Sequence, residues 1–147
     1  MNIQISTTAK LIVIDISTAL FILLFIYTAA NKIWKFSNFD WVLSTLPGIG
    51  SYHTLIAYSV PVAELITSVL LIFNPTKRIG LFLSMLLMLF FSSYLLFILQ
   101  YSKELPCNCG GVLSQLSWKQ HIIFNLCFLL LALISLRFTA QLKQQIE

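Results

Sequence analysis

Four apolar runs, each long enough to cross a lipid bilayer, limit what this chain can fold into. The hydrocarbon core of a bilayer is about 30 Å thick and is spanned by about 20 helical residues. The runs lie at about residues 11–30, 55–73, 79–99 and 118–138, and together they use most of the 147 residues. In lipid every backbone N–H and C=O must be bonded internally, and a helix does this within one segment. The expectation is therefore an all-α integral membrane protein, a four-transmembrane-helix bundle forming one domain over residues 1–147. Composition agrees: 59% of residues are hydrophobic and 10% charged, against about 25% charged in soluble domains. The basic residues are dispersed, so the net charge of +4 does not point to nucleic acid. The expected surroundings are membrane lipid.

The breaks between runs carry the next level of information. A cleaved leader ending at Thr28-Ala29-Ala30 is the rival to a first span. The run exceeds the usual apolar region of about 7–15 residues, and only Lys10 precedes it, which favours a retained span. Asp15, about one turn inside, is expected to reach the near interface. After the first run, Lys32, Trp34, Lys35, Phe36, Phe39 and Trp41 interleave aromatics with lysines, a pattern suited to the headgroup level. Residues 36–46 read as a short interfacial helix that Pro47-Gly48 ends. Asn74-Pro75 marks a tight turn, and residues 139–147 read as a solvated tail.

Orientation follows from Lys and Arg, which favour the cytoplasmic side. With the N-terminus inside, Lys10, Lys77, Arg78, Arg137 and Lys143 are inside, and Lys32, Lys35, Lys103 and Lys119 are outside. This places the loop at residues 102–117 outside, which is the periplasm if the cell is bacterial, a compartment where disulfides persist.

That loop holds Pro106-Cys107-Asn108-Cys109-Gly110-Gly111. Two cysteines separated by one residue can close a disulfide only if the backbone bends, because the bond needs Cα atoms about 4.4–6.8 Å apart. The glycines permit such a bend. A strained bridge is readily reduced, which suits exchange and not stapling. The plainer reading is a polar loop with inert thiols. The third cysteine, Cys127, is two residues beyond Asn125 and about 13 Å deeper than Trp118 along a helix, so it is expected to be a packed apolar thiol outside any exchange.

Glu64 lies near the middle of the second span, with Pro61 one turn before it. A charge there costs at least about 2.5–3.5 kcal/mol, so it should face the bundle interior, be paired, or stay protonated. Ala57, Pro61, Glu64 and Ser68 form a stripe of small and polar residues, as helix contacts in lipid require. Two roles fit Glu64. One is a proton acceptor or quinone-headgroup partner; the other is an interhelical bond to Asn31, Lys32 or a Ser/Thr. On the fourth span His121, Asn125, Phe128, Ala132 and Ser135 share a face. His121 is near the cysteine loop and could hold a thiolate by taking its proton, or could simply cap a helix contact.

These features together resemble a family. An Asn31-Lys32 exit from span one, Pro61-x-x-Glu64 in span two, Cys107-Asn108-Cys109-Gly110 after span three, and Trp118 with Asn125 in span four resemble the MauE methylamine-utilisation accessory membrane proteins, within a wider DoxX-like group. The resemblance covers roughly residues 28–136. It implies a redox-associated inner-membrane protein linked to disulfide formation or maturation of periplasmic partners, often beside a thioredoxin-like protein. For the wider group it implies a link to quinones.

The leading reading is a thiol–disulfide oxidoreductase component. Cys107 and Cys109 form its redox pair, Glu64 and His121 its proton-transfer candidates, and Asn125 a further site residue. A membrane quinone is the candidate cofactor. Two other classes compete. Cys107, Cys109 and His121 could capture a soft metal such as Cu(I) or Zn(II), although zinc sites usually space their ligands more widely. A non-catalytic subunit that positions a partner would need neither cysteine.

Overall fold

The computed structural model describes residues 6–46, 48–101 and 118–144. They form α1 (Thr7–Trp34), α2 (Phe36–Thr45), a 3-10 turn at Gly50–Tyr52, α3 (His53–Ile72), α4 (Lys77–Tyr101) and α5 (Trp118–Gln144). No strand occurs among the described residues. α1, α3, α4 and α5 are each long and apolar enough to cross a membrane. They close a ring in which α1 packs on α3, α3 on α4, α4 on α5 and α5 back on α1, while α2 packs on α3.

The helices outrun the apolar stretches because nothing stops them at the lipid boundary. α1 begins at Thr7, where the Ser6 side chain accepts a hydrogen bond from Ala9 N at 3.3 Å and caps the first turn. α5 continues through Gln144, so most of the expected solvated tail is helical. Residues 139–144 contain no Gly or Pro, Thr139 donates to Ser135 O at 2.7 Å, and Leu142 packs against the core.

Five buried hydroxyls are satisfied within their own helices. Ser17, Thr18, Thr67, Ser84 and Ser92 each donate to the carbonyl four residues earlier at 2.6–2.8 Å. They therefore act as small spacers that let helices approach, and not as bridges between them. One core joins Phe21 and Phe25 of α1 to Leu71, Leu81, Met88 and Ala132. Phe128 sits edge-on to Phe21, with ring centroids 5.2 Å apart. A second, smaller core joins Val42, Leu43 and Leu46 to Ala57 and seats α2 on α3.

Turn chemistry sets the connections. Gly48 has φ +84, a conformation that glycine adopts without strain. At the α3–α4 turn, Thr76 donates to Leu70 O at 2.8 Å, covering a carbonyl that the end of α3 leaves open. One turn on, Gly80 lets α4 press against α3: a Cβ there would lie 2.9 Å from both the backbone N and the side chain of Leu71. Gly80→Ala is expected to destabilise the bundle by about 1–3 kcal/mol, as overpacking does. Thermal unfolding in detergent measures this, and an unchanged Tm would show that the α3–α4 contact yields freely.

Asp15 is paired. Lys77 Nζ donates to its Oδ1 at 3.0 Å, tying the start of α1 to the start of α4. Residues from the end of α1, the start of α3, the end of α4 and the start of α5 line one space, and Asp15 pairs with Lys77, so successive spans alternate in direction. Trp34, His53, Tyr101 and Trp118 thus gather at one end of the bundle, and Asp15 with Lys77 marks the other.

Candidate functional site

The stripe on α3 is buried as expected: Ala57, Pro61, Glu64 and Ser68 all lie in the interior. Glu64 is 1% exposed. Its partner is Lys32, near the end of α1, whose Nζ donates to Glu64 Oε1 at 2.6 Å. Asn31 is turned elsewhere, donating to Tyr27 O at 2.9 Å. Lys32 was readable as an interfacial lysine, yet its register pointed inward. It follows Phe21, Phe25 and Thr28 at spacings of four, three and four, which is the buried stripe of α1.

The ammonium of Lys32 lies where four helices meet. It is 5.9 Å from the ring centroid of Phe39 on α2 and 5.7 Å from that of Phe91 on α4. Both are within the range in which a ring face attracts a cation. Such rings and the carboxylate together compensate the charge of a lysine whose side chain is only 14% exposed.

Beside the pair is a cavity of about 170 Å³. Its polar lining includes Thr28, Lys32, Glu64, His121 and Asn125. The remainder is largely aliphatic and aromatic, with Val42 and Leu43 of α2 and the adjoining Leu46 closing one side. Glu64 Oε2 is buried and has no hydrogen-bond partner among the described residues. The Thr28 hydroxyl faces the carboxylate from α1, and donates to Phe25 O at a long 3.3 Å. Phe90 lines the cavity and is also 59% exposed on the outer surface of the bundle.

Three of the expected site residues therefore converge. Glu64, His121 and Asn125 line one cavity, although they come from two helices that are far apart in sequence. Asn125 is buried and His121 half-buried. Cys107 and Cys109 lie outside the described residues. The helix ends that flank their segment, Tyr101 and Trp118, are at the cavity end of the bundle. His121 is three residues into α5, about 4.5 Å along the axis from Trp118.

Cys127 requires a correction. It is exposed on the outer face of α5 and is not packed. The sequence placed it opposite Asn125, and that placement holds. No described helix covers the opposite side of α5, so the thiol faces the space that lipid fills.

A second polar contact lies at the same end of the molecule. Asp40 of α2 and His53 at the start of α3 approach to 2.7 Å between Oδ1 and Nδ1. Together with Phe36 against Tyr58, ring centroids 4.5 Å apart, it fixes α2 across the top of α3. No cluster of three or more His, Cys, Asp or Glu with metal-binding geometry occurs among the described residues.

The arrangement of four spans, a short helix folded over α3 and a buried Lys–Glu pair can be set beside known proteins. The family model described as methylamine utilisation protein MauE matches residues 10–138. The chain belongs to the MauE family. The match takes in all four spans, Lys32, Glu64, Asn125 and the Cys107-x-Cys109 segment. No curated protein and no solved structure matches the chain. It is a multi-pass membrane protein whose family ties it to methylamine utilisation.

Proposed function

We propose that this protein is a thiol–disulfide component of the bacterial inner membrane that supports maturation of a periplasmic protein, directly or through a thioredoxin-like partner. The observation that carries this reading is one of placement. The chain segment holding Cys107 and Cys109 is joined to the bundle at Tyr101 and Trp118, at the same end as the cavity with Lys32, Glu64, His121 and Asn125.

The chemistry balances as follows. A thiolate of the partner attacks the Cys107–Cys109 disulfide and forms a mixed disulfide, releasing one cysteine as thiolate. The partner's second thiolate displaces the other, leaving the partner oxidised and Cys107 and Cys109 reduced. Reoxidation removes two electrons and two protons, which a membrane quinone takes up to become a quinol. In this reading His121 and Glu64 pass those protons.

Alkylation with a mass tag tests the reading in cells. Denatured without reductant, the chain should carry one tag, on Cys127; after reduction it should carry three. A membrane-impermeant maleimide on reduced spheroplasts should label Cys107 or Cys109. Three tags without reductant under all growth conditions, or labelling only after lysis, would overturn the proposal.

A further inference from the structure

The cavity beside Lys32 and Glu64 presents an unusual pairing of polar groups. Glu64 Oε2 is a buried acceptor with no donor among the described residues. Lys32 Nζ, bonded to the neighbouring Oε1 at 2.6 Å, is a three-proton donor next to it. A buried acceptor left without a donor is costly, on the order of the full desolvation of that group. Glu64 itself lines the cavity, so a ligand that enters against it can supply the missing donor. A hydroxyl fits both neighbours, since it donates to Oε2 and accepts from Nζ.

The remaining walls define what carries that hydroxyl. Phe39 and Phe91 stand around the ammonium, and Phe25, Phe124 and Leu95 complete an apolar lining. The volume of about 170 Å³ is close to the roughly 150 Å³ that accommodates one benzene ring in an engineered protein cavity. Phe90 lines the cavity and is also exposed on the outer face of the bundle, the side that lipid covers. A fatty acid is disfavoured because its carboxylate would face that of Glu64. We infer that the cavity is a binding site for a hydroxylated aromatic ring dissolved in the membrane, a quinol headgroup, held by Glu64 Oε2 and Lys32 Nζ. The inference deepens the reading above by giving its electron carrier a site and a preferred redox form. The quinone form offers carbonyl acceptors only, and would leave Oε2 unmatched.

Equilibrium binding to the full chain in nanodiscs, kept anaerobic, tests this with decylubiquinol, decylubiquinone and n-decanol as probes. The wild type should bind the quinol saturably and about 10-fold or more tighter than the quinone or the alcohol. Glu64→Gln should weaken quinol binding about 10-fold and remove the preference for the reduced form. Val60→Phe, which narrows the cavity and leaves both partners of the ion pair in place, should weaken both ring ligands and keeps the test valid if Glu64→Gln misfolds. Absence of saturable quinol binding, n-decanol binding as tightly as the quinol, or indifference to Val60→Phe would overturn the site. The Cys107→Ser/Cys109→Ser variant separates the two proposals. Quinol binding in that variant, with inert thiols in the wild type, would overturn the exchange reading alone; exchange without quinol binding would overturn the cavity assignment alone.

Discussion

Replacing Lys32 by methionine is expected to destabilise the protein by roughly 3–5 kcal/mol, because it leaves Glu64 as an uncompensated buried charge. For a chain of this size that lowers Tm by on the order of 10 °C. The pair is buried on both sides, at 14% and 1% exposure, so solvent does little to replace the lost partner. The double change Lys32→Met/Glu64→Leu should recover most of the loss, since a buried ion pair exchanged for packed apolar groups is often neutral in stability. Thermal unfolding of the four proteins in one detergent gives the coupling directly. A double variant as unstable as the sum of the two single variants would mean that Lys32 and Glu64 act independently, against the 2.6 Å contact. The double variant should also have lost quinol binding, which separates the stability of the bundle from the use of its cavity.

The second large effect concerns the thiols. The Cys107→Ser/Cys109→Ser variant is expected to reduce partner oxidation to background. Each single serine variant should accumulate a mixed disulfide with the partner, because the thiol that resolves it is gone. Cys127→Ala should be almost silent. Its side chain is exposed on the outer face of α5, so truncation leaves no internal cavity of the kind that makes core substitutions costly. Non-reducing gels of the variants, with a partner-maturation assay, report both effects. If Cys127→Ala abolishes maturation while the double serine variant retains it, the exchange mechanism is wrong.

The class of the fold was legible in the residues because lipid removes alternatives. Four apolar runs cannot leave their backbone groups unbonded in a bilayer, so each becomes a helix. The inward face of α3 was equally legible. Glu64 is too costly to point at lipid, and Ala57, Pro61 and Ser68 mark the side on which another helix can approach closely. The helix ends were less so, because Ser6, Thr7 and residues 139–144 are mostly polar without being helix breakers, and polarity alone does not end a helix. What only the tertiary structure decided were the pairings between helices. Among Asn31, Lys32 and the hydroxyls, the residue that meets Glu64 depends on the offset between α1 and α3, which no periodicity within one helix contains. The cavity depends on α2 folding back over α3 through Val42, Leu43 and Leu46. The exposure of Cys127 depends on which face of α5 no helix covers. Helical periodicity determines the angle at which a side chain leaves its own axis; what it then touches is set by the placement of the other axes.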